Sequence, residues 1–405
     1  MTDNNENKVL NVPHLRFPEF SGEWEIYPLT DFMSFKNGMN PDAKRFGRGT
    51  KFISVMDILN NQFICYDNIR ASVEVVDGDI ETYGVNYGDI LFQRSSETLE
   101  DVGQANVYLD SKPAVFGGFV IRGKSKSNYY PMFFRYLLAS PTARKKIIVK
   151  GAGAQHFNIG QDGLSKVCLN IPSIQEQEKI AKLFECIDTR IATQNKIIED
   201  LKLLKSAIIE EHYKQSEKQC VLIADLGEPF SVGNLSKDDL TDTGTPCVIY
   251  GELFTTYREI ISHVESYTNK SDGMTFSKKG DLLFPSSTTV DAVSLITPSA
   301  INIDNVVLGG DMFGIHINSD YNAQYLSYYF NHIAKKQFAK YAKGSTIIHL
   351  HYKDIEKNKL LLPCLIEQNK TANNLISLDE KIKIESSYLQ SVIKQKTYLL
   401  RQMFI

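Results

Sequence analysis

The chain has 405 residues, of which 42% are hydrophobic and 23% are charged, and its formal net charge is −3. This length exceeds one ordinary hydrophobic core and predicts two or three domains, and the composition is that of a globular protein. The slight negative charge argues against a protein that coats nucleic acid through charge alone, but it allows a protein with local basic clusters.

The beginning of the chain is polar, and no apolar run approaches the roughly 18–20 residues of a membrane span. The sequence therefore predicts neither a secretory signal nor a membrane segment, and we expect residues 1–12 to be flexible. The six cysteines lie far apart without a CxxC pair, which argues against a zinc module or a disulfide framework. Such cysteine usage fits a reducing cytoplasm, where we expect the protein to be located.

The first half of the chain predicts a mixed α/β domain with two polar loops. An apolar strand at 88–92 ends in a loop with one arginine and several hydroxyl groups. A basic helical stretch then leads into a loop that contains Gly151 and Gly153. A hairpin turn stabilised by hydroxyl–backbone bonds would also explain the first loop, and a glycine cap at a helix end would explain the second.

Basic residues cluster at three places, and solvated helix faces are an alternative explanation for each cluster. The clusters are Lys44/Arg45/Arg48/Lys51, Arg144/Lys145/Lys146/Lys150 and Lys335/Lys336/Lys340/Lys343.

An internal repeat organises the whole chain. The segment from Ile171-Pro172 to Tyr213 aligns without gaps on the segment from Leu362-Pro363 to Phe404, at a constant offset of 191. Upstream, the 88–96 strand and loop resemble 280–288, and Gly153 falls on Gly344. Identical pairs in the aligned segments are Pro172/Pro363, Glu176/Glu367, Gln177/Gln368, Lys179/Lys370, Ala181/Ala372, Asp188/Asp379, Ile191/Ile382 and Lys205/Lys396. Each half therefore has the same order of a mixed domain, a glycine loop, a short strand ending in proline, and a long helix.

Both long helices carry apolar residues in steps of four and three, the heptad pattern of a coiled coil. Each helix begins just after an X-Pro dipeptide. Polar residues interrupt both seams at equivalent positions, Gln194/Glu385 and Lys205/Lys396. If the two helices pair in opposite directions, Glu385 could face Lys205 and Gln194 could face Lys396. Alternatively, these side chains extend outward at the edge of the seam.

This organisation resembles the specificity subunit of type I restriction-modification systems. The resemblance rests on the opening Val12-Pro13-His14-Leu15-Arg16-Phe17-Pro18-Glu19-Phe20 with Trp24-Glu25, on Gly88-Asp89-Ile90-Leu91-Phe92-Gln93-Arg94-Ser95-Ser96-Glu97-Thr98, and on the helix opening Ile-Pro-x-x-x-Glu-Gln-x-Lys-Ile-Ala. The second half keeps most of the last motif but has Thr371 in place of the isoleucine. The ordered combination covers the chain beyond residue 12.

The resemblance implies an α/β (mixed α+β) fold with two tandem target-recognition domains, each followed by a long helix. The two helices would form an antiparallel coiled coil with pseudo-twofold symmetry. The implied boundaries are 1–171 for the first recognition domain, 172–214 for the central spacer helix, 215–362 for the second recognition domain and 363–405 for the C-terminal spacer helix. A helix of this size is about 50–60 Å long, which is enough to hold two recognition domains roughly one turn of DNA apart.

The resemblance also implies that each recognition domain reads one half of an asymmetric, bipartite DNA site. Two methyltransferase subunits would modify adenine N6, and motor-nuclease subunits would cleave unmodified DNA. We expect S-adenosylmethionine, ATP and Mg on these partners and no cofactor, metal or catalytic residue in this chain. The chain itself would then act as a non-catalytic subunit.

The predicted DNA contacts lie in the four polar loops, because arginine and amide side chains read base edges and hydroxyls suit phosphates. In the first half they are Arg94, Ser95, Ser96, Thr98, Lys150, Gln155, His156 and Asn158. In the second half they are Ser286, Ser287, Thr288, Thr289, Lys343, Ser345, Thr346 and His349. Arg45 and Arg48 are weaker candidates.

Two other functions are alternatives, a stand-alone DNA-modifying enzyme and a coiled-coil scaffold that binds only protein. The enzyme is disfavoured because the chain has no Pro-Pro for an adenine methyltransferase loop and no Walker A motif. His349 and His351 lack the further ligands of a metal site. The scaffold would leave the duplicated polar loops without a purpose. We also expect the seams and the terminal Met403-Phe404-Ile405 to be covered by partners, which would make the chain alone poorly soluble or weakly binding.

Overall fold

A computed structural model of the chain describes residues 11–153 and 156–405. The chain forms two compact units: unit 1 comprises Met1–Asn195 together with Ser387–Ile405, and unit 2 comprises Lys196–Ser386. These units cut across the domain boundaries drawn from the sequence, because each includes part of both long helices. Most of the segment expected to be flexible, 1–12, lies outside the described residues, but the carbonyl of Asn11 accepts a hydrogen bond from the Trp24 amide at 2.8 Å.

Unit 1 is a mixed α/β domain followed by the beginning of a long helix. Its strands are β1 (Glu25–Pro28), β2 (Met33–Asn37), β3 (Phe46–Ile53), β4 (Ala71–Val73), β5 (Gly84–Val85), β6 (Ile90–Gln93), β7 (Ser95–Ser96), β8 (Ala105–Val107), β9 (Ala114–Phe116), β10 (Val120–Ser125), β11 (Phe157–Asn158) and β12 (Cys168–Ile171). Its helices are α1 (Val55–Asn60), α2 (Asp79–Tyr83), α3 (Pro131–Ala139), α4 (Pro141–Ile148), α5 (Gln161–Ser165) and the first part of α6 (Ile174–Gln215).

Two four-stranded sheets form the body of unit 1. One is antiparallel in the order β2-β10-β6-β8, and the other has the order β4-β3-β9-β5 with β3 and β9 parallel. The first sheet packs under α3 through a core that includes Phe92, Phe133 and Phe134, all fully buried. β1 pairs with β12, which brings the start of the domain beside the strand that leads into α6.

Unit 2 repeats this architecture with five strands in each main sheet. Its strands are β13 (Gln219–Leu222), β14 (Gly227–Ser231), β15 (Leu240–Thr241), β16 (Thr245–Ile249), β17 (Ile260–Ile261), β18 (Ser266–Thr268), β19 (Thr275–Phe276), β20 (Asp281–Pro285), β21 (Ser287–Thr288), β22 (Ser299–Ile301), β23 (Val307–Gly309), β24 (Met312–Ile317), β25 (Ile348–His349) and β26 (Lys359–Leu362). Its helices are α7 (Glu252–Thr255), α8 (Ala292–Leu295), α9 (Ala323–Tyr329), α10 (Lys335–Phe338), α11 (Tyr352–Ile355) and the first part of α12 (Leu365–Gln402).

The sheets of unit 2 follow the order of those in unit 1. One has the order β14-β24-β20-β22-β17 and the other β15-β18-β16-β23-β19, with β16 and β23 parallel. β13 pairs with β26 as β1 pairs with β12. The repeat seen in the sequence is therefore a repeat of topology, with one strand added to each main sheet.

The long helices begin where the X-Pro dipeptides predict. α6 starts two residues after Pro172, and α12 starts two residues after Pro363. Each proline carbonyl accepts a hydrogen bond from a buried glutamine one turn into the helix, Gln177 at 3.0 Å and Gln368 at 2.9 Å. The oxygen of each glutamine accepts a backbone amide of the preceding domain, so this repeated residue ties each helix to its domain.

Within unit 1, the beginning of α6 packs antiparallel against the end of α12. Phe184 lies against Phe404, and Asp188 is ion-paired with Lys396 further along α6. The Tyr136 hydroxyl donates to Asp188 Oδ2 at 2.8 Å, and the Lys396 ammonium lies 5.7 Å from the centre of the Tyr136 ring. Burial and the nearby carboxylate raise the pKa of Tyr136, which keeps the phenol protonated as a donor.

Unit 2 has the same cluster in the remaining parts of the two helices. Lys205 Nζ lies 2.8 Å from Asp379 Oδ1, and the Tyr328 hydroxyl donates to Asp379 Oδ2 at 2.6 Å. Lys205 also lies 3.0 Å from Glu259 Oε1, a buried carboxylate that accepts a further bond from His332. Each unit thus contains one tyrosine–aspartate–lysine cluster, built from residues related by the repeat.

These contacts contradict one of the two arrangements considered for the polar seam residues, in which Glu385 faces Lys205 and Gln194 faces Lys396. Lys205 pairs with Asp379 and not with Glu385, which instead forms an ion pair with Lys381 one turn earlier in its own helix. Lys396 pairs with Asp188 and not with Gln194. The expectation placed the polar interruptions of the two seams opposite each other, whereas each lysine actually reaches the aspartate that a tyrosine of its own unit holds in place.

The end of the chain also differs from expectation. Met403 and Phe404 are each 2% exposed, and Phe404 lies between Trp24, Phe133 and Phe184 in the core of unit 1. The terminal apolar residues are therefore covered by the chain itself and need no partner.

In the described residues, 11–153 and 156–405, no helix is long and apolar enough to cross a membrane.

Candidate nucleic-acid interface

In unit 1, the two polar loops of the first half meet in a short ribbon. β7 pairs antiparallel with β11, with Ser95 opposite Asn158 and Ser96 opposite Phe157. The Ser95 hydroxyl also donates to the side-chain oxygen of Asn158. A further bridge between Ala152 and Asn158 closes the second loop. We call the described residues of 94–98 and 150–158 ribbon 1.

Unit 2 builds the same ribbon from the second pair of loops. β21 pairs antiparallel with β25, with Ser287 opposite His349 and Thr288 opposite Ile348. The bridge between Lys343 and His349 matches the one between Ala152 and Asn158. We call residues 286–289 and 343–349 ribbon 2. Loops that are more than 50 residues apart in the sequence thus form one surface in each unit.

One glycine shapes the loop of each ribbon. Gly153 has φ +143° and Gly344 has φ +120°, both in the region that disfavours residues with a side chain. A Cβ on Gly153 would lie 2.0 Å from the His156 carbonyl oxygen, and one on Gly344 would lie 2.0 Å from that of Ile347. The repeated glycine is therefore required by the close approach of the loop to itself.

Gly344→Ala should open the loop of ribbon 2 while unit 2 stays folded. A residue forced out of its backbone conformation costs of order 1–3 kcal/mol, and the bridge residues Lys343 and His349 would separate to relieve the clash. We expect faster hydrogen exchange at the amides of these two residues, measured by NMR or mass spectrometry. Gly251→Ala is the control, because its Cβ meets nothing within 4 Å and its φ is −63°. Unchanged exchange in Gly344→Ala would contradict this account of the loop.

An aspartate fixes the strand that leads into each ribbon. Asp89 accepts the amides of Asn86 at 3.0 Å and Ser125 at 2.8 Å, and burial raises the pKa of its carboxyl group. Asp281 accepts the amide of Lys278 at 2.8 Å and lies 2.6 Å from His316 Nδ1. The Gly-Asp pairs of the sequence therefore close the turns before β6 and β20, and they do not belong to the exposed surface.

The predicted contacts on the β7 side of ribbon 1 are partly held by the protein. Arg94 is half-buried and donates from Nη1 to the Gly118 carbonyl at 3.3 Å. Ser96 Oγ accepts the Thr98 amide at 3.2 Å, and Thr98 Oγ1 donates to Asp101 Oδ2 at 2.6 Å. The first is a hydroxyl–backbone bond of a turn and the second joins two side chains, so Ser96 and Thr98 both help to shape the loop.

The predicted contacts on the β21 side of ribbon 2 are less exposed. Ser286 and Ser287 are 8% and 5% exposed, and Ser287 Oγ donates to Asp311 Oδ2 at 2.8 Å. Thr288 Oγ1 accepts the amide of Val290 at 3.2 Å. Thr289 is exposed and points to solvent with its neighbours at the tip. The surface of this strand available to a large ligand is therefore mainly Thr288 and Thr289.

The glycine loops supply most of the exposed polar side chains. Lys150, His156 and Asn158 are exposed in ribbon 1, whereas Gln155 lies outside the described residues. In ribbon 2, Lys343, Ser345, Thr346 and His349 are exposed, and Lys343 is ion-paired with Asp354. The two ribbons thus share a backbone but present different functional groups.

The weaker arginine candidates belong to the framework of unit 1. Arg45 donates to the Glu74 carbonyl at 2.8 Å and is ion-paired with Asp79, whose pKa is lowered by a backbone hydrogen bond and by this arginine. Arg48 lies 2.6 Å from the Glu74 carboxylate. Ion pairs within the protein therefore engage both guanidinium groups.

A two-stranded ribbon with polar ends has the width that the major groove of B-DNA admits, and its loop side chains can reach base edges there. In the part of the chain that the structure describes, no group of three or more His, Cys, Asp or Glu side chains could hold a metal ion. The geometry of both ribbons therefore suits binding to a nucleic acid.

Sequence reasoning missed the acidic residues that organise the ribbons, Asp101 and Asp311. Each accepts a hydroxyl from a ribbon residue, Thr98 or Ser287. A local signal existed only for Asp101, which lies three residues after Thr98, a usual spacing for a side-chain turn. Asp311 is 24 residues from Ser287, and only the pairing of β20 with β24 brings the two together.

Comparisons with known proteins agree with this architecture. Two relatives from Methanocaldococcus jannaschii are the putative type I restriction enzyme MjaX specificity subunit, 24% identical over 97% of this chain and 95% of the relative, and the type I restriction enzyme MjaVIII specificity subunit, 22% identical over 98% and 94%. The structure is similar to a crystal structure of the type I restriction-modification system S subunit from M. genitalium, with TM-score 0.59 and 13% identity over 97% of this chain and 99% of that one.

A second solved structure, described as showing complex assembly and conformational transition of the type I R-M system, matches with TM-score 0.56 and 11% identity over 93% of this chain and 96% of that one. The sequence model of the type I restriction modification DNA specificity domain matches twice, at residues 21–203 and 216–395, so that one copy falls on each half of the repeat. The chain therefore belongs to the family of type I restriction-modification DNA specificity proteins.

Proposed function

We propose that this chain is the DNA-recognition subunit of a type I restriction-modification complex. It reads a bipartite, asymmetric site and directs adenine-N6 methylation and restriction by its partner subunits. The observation that carries the proposal is the duplicated ribbon, because two ribbons of one architecture suit two separate half-sites. The names of the relatives as specificity subunits support the same conclusion.

The two half-sites should differ in sequence. Both ribbons present a lysine and a histidine, but ribbon 1 adds Arg94 and Asn158, whereas ribbon 2 adds hydroxyl groups such as those of Thr289 and Thr346. Since base readout depends on which donors and acceptors reach the groove, different side chains on one backbone select different bases. Framework residues such as Asp89 and Asp281 keep the backbone the same.

The chemistry of the complex belongs, in this proposal, to other subunits. Two methyltransferase subunits would bring S-adenosylmethionine, and motor-nuclease subunits would bring ATP and Mg, while this chain stays non-catalytic in the cytoplasm. Exposed apolar side chains on the long helices support partner binding. In unit 2, Leu203 is 69% and Ile384 is 62% exposed, and in unit 1, Tyr398 is 58% exposed.

The test is to reconstitute the chain with its methyltransferase partner and to sequence the modified adenines in random DNA. We expect all methylated adenines to lie in one motif with two specified parts and an unspecified gap. Methylation that follows no bipartite motif, or that proceeds equally well without this chain, would overturn the proposal.

Variants of the ribbons should relax one half of the motif at a time. Arg94→Ala should reduce discrimination in one half-site by about 1–3 kcal/mol, the value of a good bidentate base contact, and leave the other half unchanged. His349→Ala should affect the opposite half. Arg48→Ala is the matched control, since this arginine is not part of ribbon 1 and its guanidinium is paired with Glu74. If Arg94→Ala altered both halves equally, or neither, Arg94 would not be a base-reading residue.

A further inference from the structure

In unit 1, the segment before β1 covers the start of α6. Arg16 forms a bidentate pair with Glu176, with Nε–Oε1 and Nη2–Oε2 distances of 2.8 Å, and the Glu176 side chain is only 1% exposed. The ammonium of Lys179, one turn later, is ion-paired with Glu19 and lies 4.7 Å from the centre of the Phe17 ring. The segment is therefore anchored through an arginine, an aromatic ring and a carboxylate.

The equivalent surface in unit 2 carries the same anchoring groups but no such segment. Glu176 corresponds to Glu367 and Lys179 to Lys370 at the offset of 191. Both line an open cavity of about 720 Å³ formed by the end of α6 and the start of α12. The chain passes from α6 to β13 through residues 216–218 only, so unit 2 has no counterpart of residues 12–23.

The cavity contains two buried polar atoms that lack a hydrogen-bond partner among the described residues, and carboxylates outnumber lysines in its lining. His212 Nε2 and Ser216 Oγ are buried and have no hydrogen-bond partner among the described residues. Three carboxylates line the cavity (Glu211, Glu217 and Glu367), against two lysines (Lys218 and Lys370). Such a site favours a guanidinium, which matches a carboxylate in planar, bidentate geometry.

We propose that this cavity is a docking site for an extended segment of a partner protein that carries an arginine, an adjacent aromatic residue and an acidic residue. The arginine pairs with Glu367, the acidic residue pairs with Lys370, and polar groups of the segment satisfy His212 and Ser216. The template is residues 12–23 of this chain, in which Arg16 and Glu19 make the first two of these contacts in unit 1. The inference does not depend on DNA recognition and would hold if the ribbons bound no DNA.

The direct probe is a labelled synthetic peptide with the sequence of residues 12–23, titrated into the full chain and followed by fluorescence anisotropy. We expect saturable binding at one site. Replacing the peptide arginine with alanine should weaken binding about tenfold or more, since a bidentate charged contact is lost. Glu367→Gln in the chain should weaken it to a similar extent.

Glu176→Gln is the matched control, because it alters the equivalent glutamate of unit 1 and should leave peptide binding unchanged. A charge exchange distinguishes the loss of one contact from misfolding of the variant, because a misfolded chain would not regain binding. Lys370→Glu should weaken binding, and a peptide with lysine in place of its first glutamate, the equivalent of Glu19, should restore it.

Three results would overturn the proposal. The first is no binding at millimolar peptide, and the second is binding that Glu367→Gln leaves unchanged. The third is concentration-dependent self-association of the chain that both Arg16→Ala and Glu367→Gln abolish, because the occupant would then be a second copy. Methylation mapping is a separate measurement, so a failure of peptide binding can be distinguished from a failure of the proposed DNA function.

Discussion

Phe404→Ala should destabilise unit 1 by about 3–5 kcal/mol, the cost of removing a large buried aromatic side chain. The Phe404 ring lies 5.6 Å from Phe133 and 5.7 Å from Phe184, measured between centroids, and 6.4 Å from Trp24. The cavity left behind would adjoin all three rings, each of which is buried. Urea unfolding of the purified chain would measure the loss as a lower midpoint for the transition of unit 1.

Tyr398→Ala is the control for this effect, since Tyr398 is an aromatic residue of the same helix but is 58% exposed. We expect it to change stability by about 0.5 kcal/mol or less, the usual range for surface positions. Equal effects of the two substitutions would mean that the end of α12 is not part of the core of unit 1.

Lys205→Met should cost about 3–5 kcal/mol in unit 2, because removing one partner of a buried ion pair leaves uncompensated charge. The Lys205 side chain is 9% exposed and holds two carboxylates, Glu259 and Asp379. Without the ammonium group the two carboxylates would repel each other. Lys396→Met should cost less, since Lys396 is 27% exposed and pairs with Asp188 alone. Thermal or urea unfolding would rank the two variants.

The cost of Lys205→Met should also depend on pH. Burial raises the pKa of Glu259, but His332 and Lys205 outweigh that effect and bring it to about 2. A carboxylate with a folded pKa below its unfolded value of about 4.3 stabilises the fold above that value. This contribution is lost as pH falls toward the folded pKa. The gap between wild type and Lys205→Met should therefore narrow from pH 6 to pH 3, and a constant gap would contradict the role given to Glu259.

Much of the fold follows from patterns that are local in the sequence. The two X-Pro dipeptides and the heptad seams predicted the starts of α6 and α12, because helix initiation and apolar periodicity depend on near neighbours. The offset of 191 predicted the repeated order of elements. It could not predict the extra strands of unit 2, β17 and β15, which pair at sheet edges through contacts distant in the sequence.

The pairing of charged residues between the helices was wrong for a similar reason. Asp188 and Asp379 were visible as an identical pair, but no sequence pattern indicated that Tyr136 and Tyr328 donate hydrogen bonds to them. The tyrosines come from α3 and α9, which lie far from these aspartates along the chain. A heptad pattern shows which face of a helix is buried, yet it does not show which residue of another element reaches that face.

The candidate site could be predicted as a set of loops and not as a surface. Loop composition suggested Arg94 and His349, whereas the pairing of β7 with β11 and of β21 with β25 required the folded sheets. The burial of Ser286 and Ser287 was hidden as well, because the bond from Ser287 to Asp311 depends on two strands distant in the sequence. Whether the ribbon residues contact DNA stays a prediction for the methylation experiment.

The burial of Phe404 has a consequence for how the protein is made. Phe404 packs against Trp24, Phe133 and Phe184, all far earlier in the chain, so the core of unit 1 is incomplete until the ribosome has synthesised Phe404. At 5–20 residues per second, synthesis of residues 196–404 takes on the order of 10–40 s. During that time the earlier part of unit 1 lacks the Phe404 ring. A chain that lacks Phe404 would leave the rings of Trp24, Phe133 and Phe184 without this contact, and we expect cellular proteases to degrade it faster than a chain with a complete core.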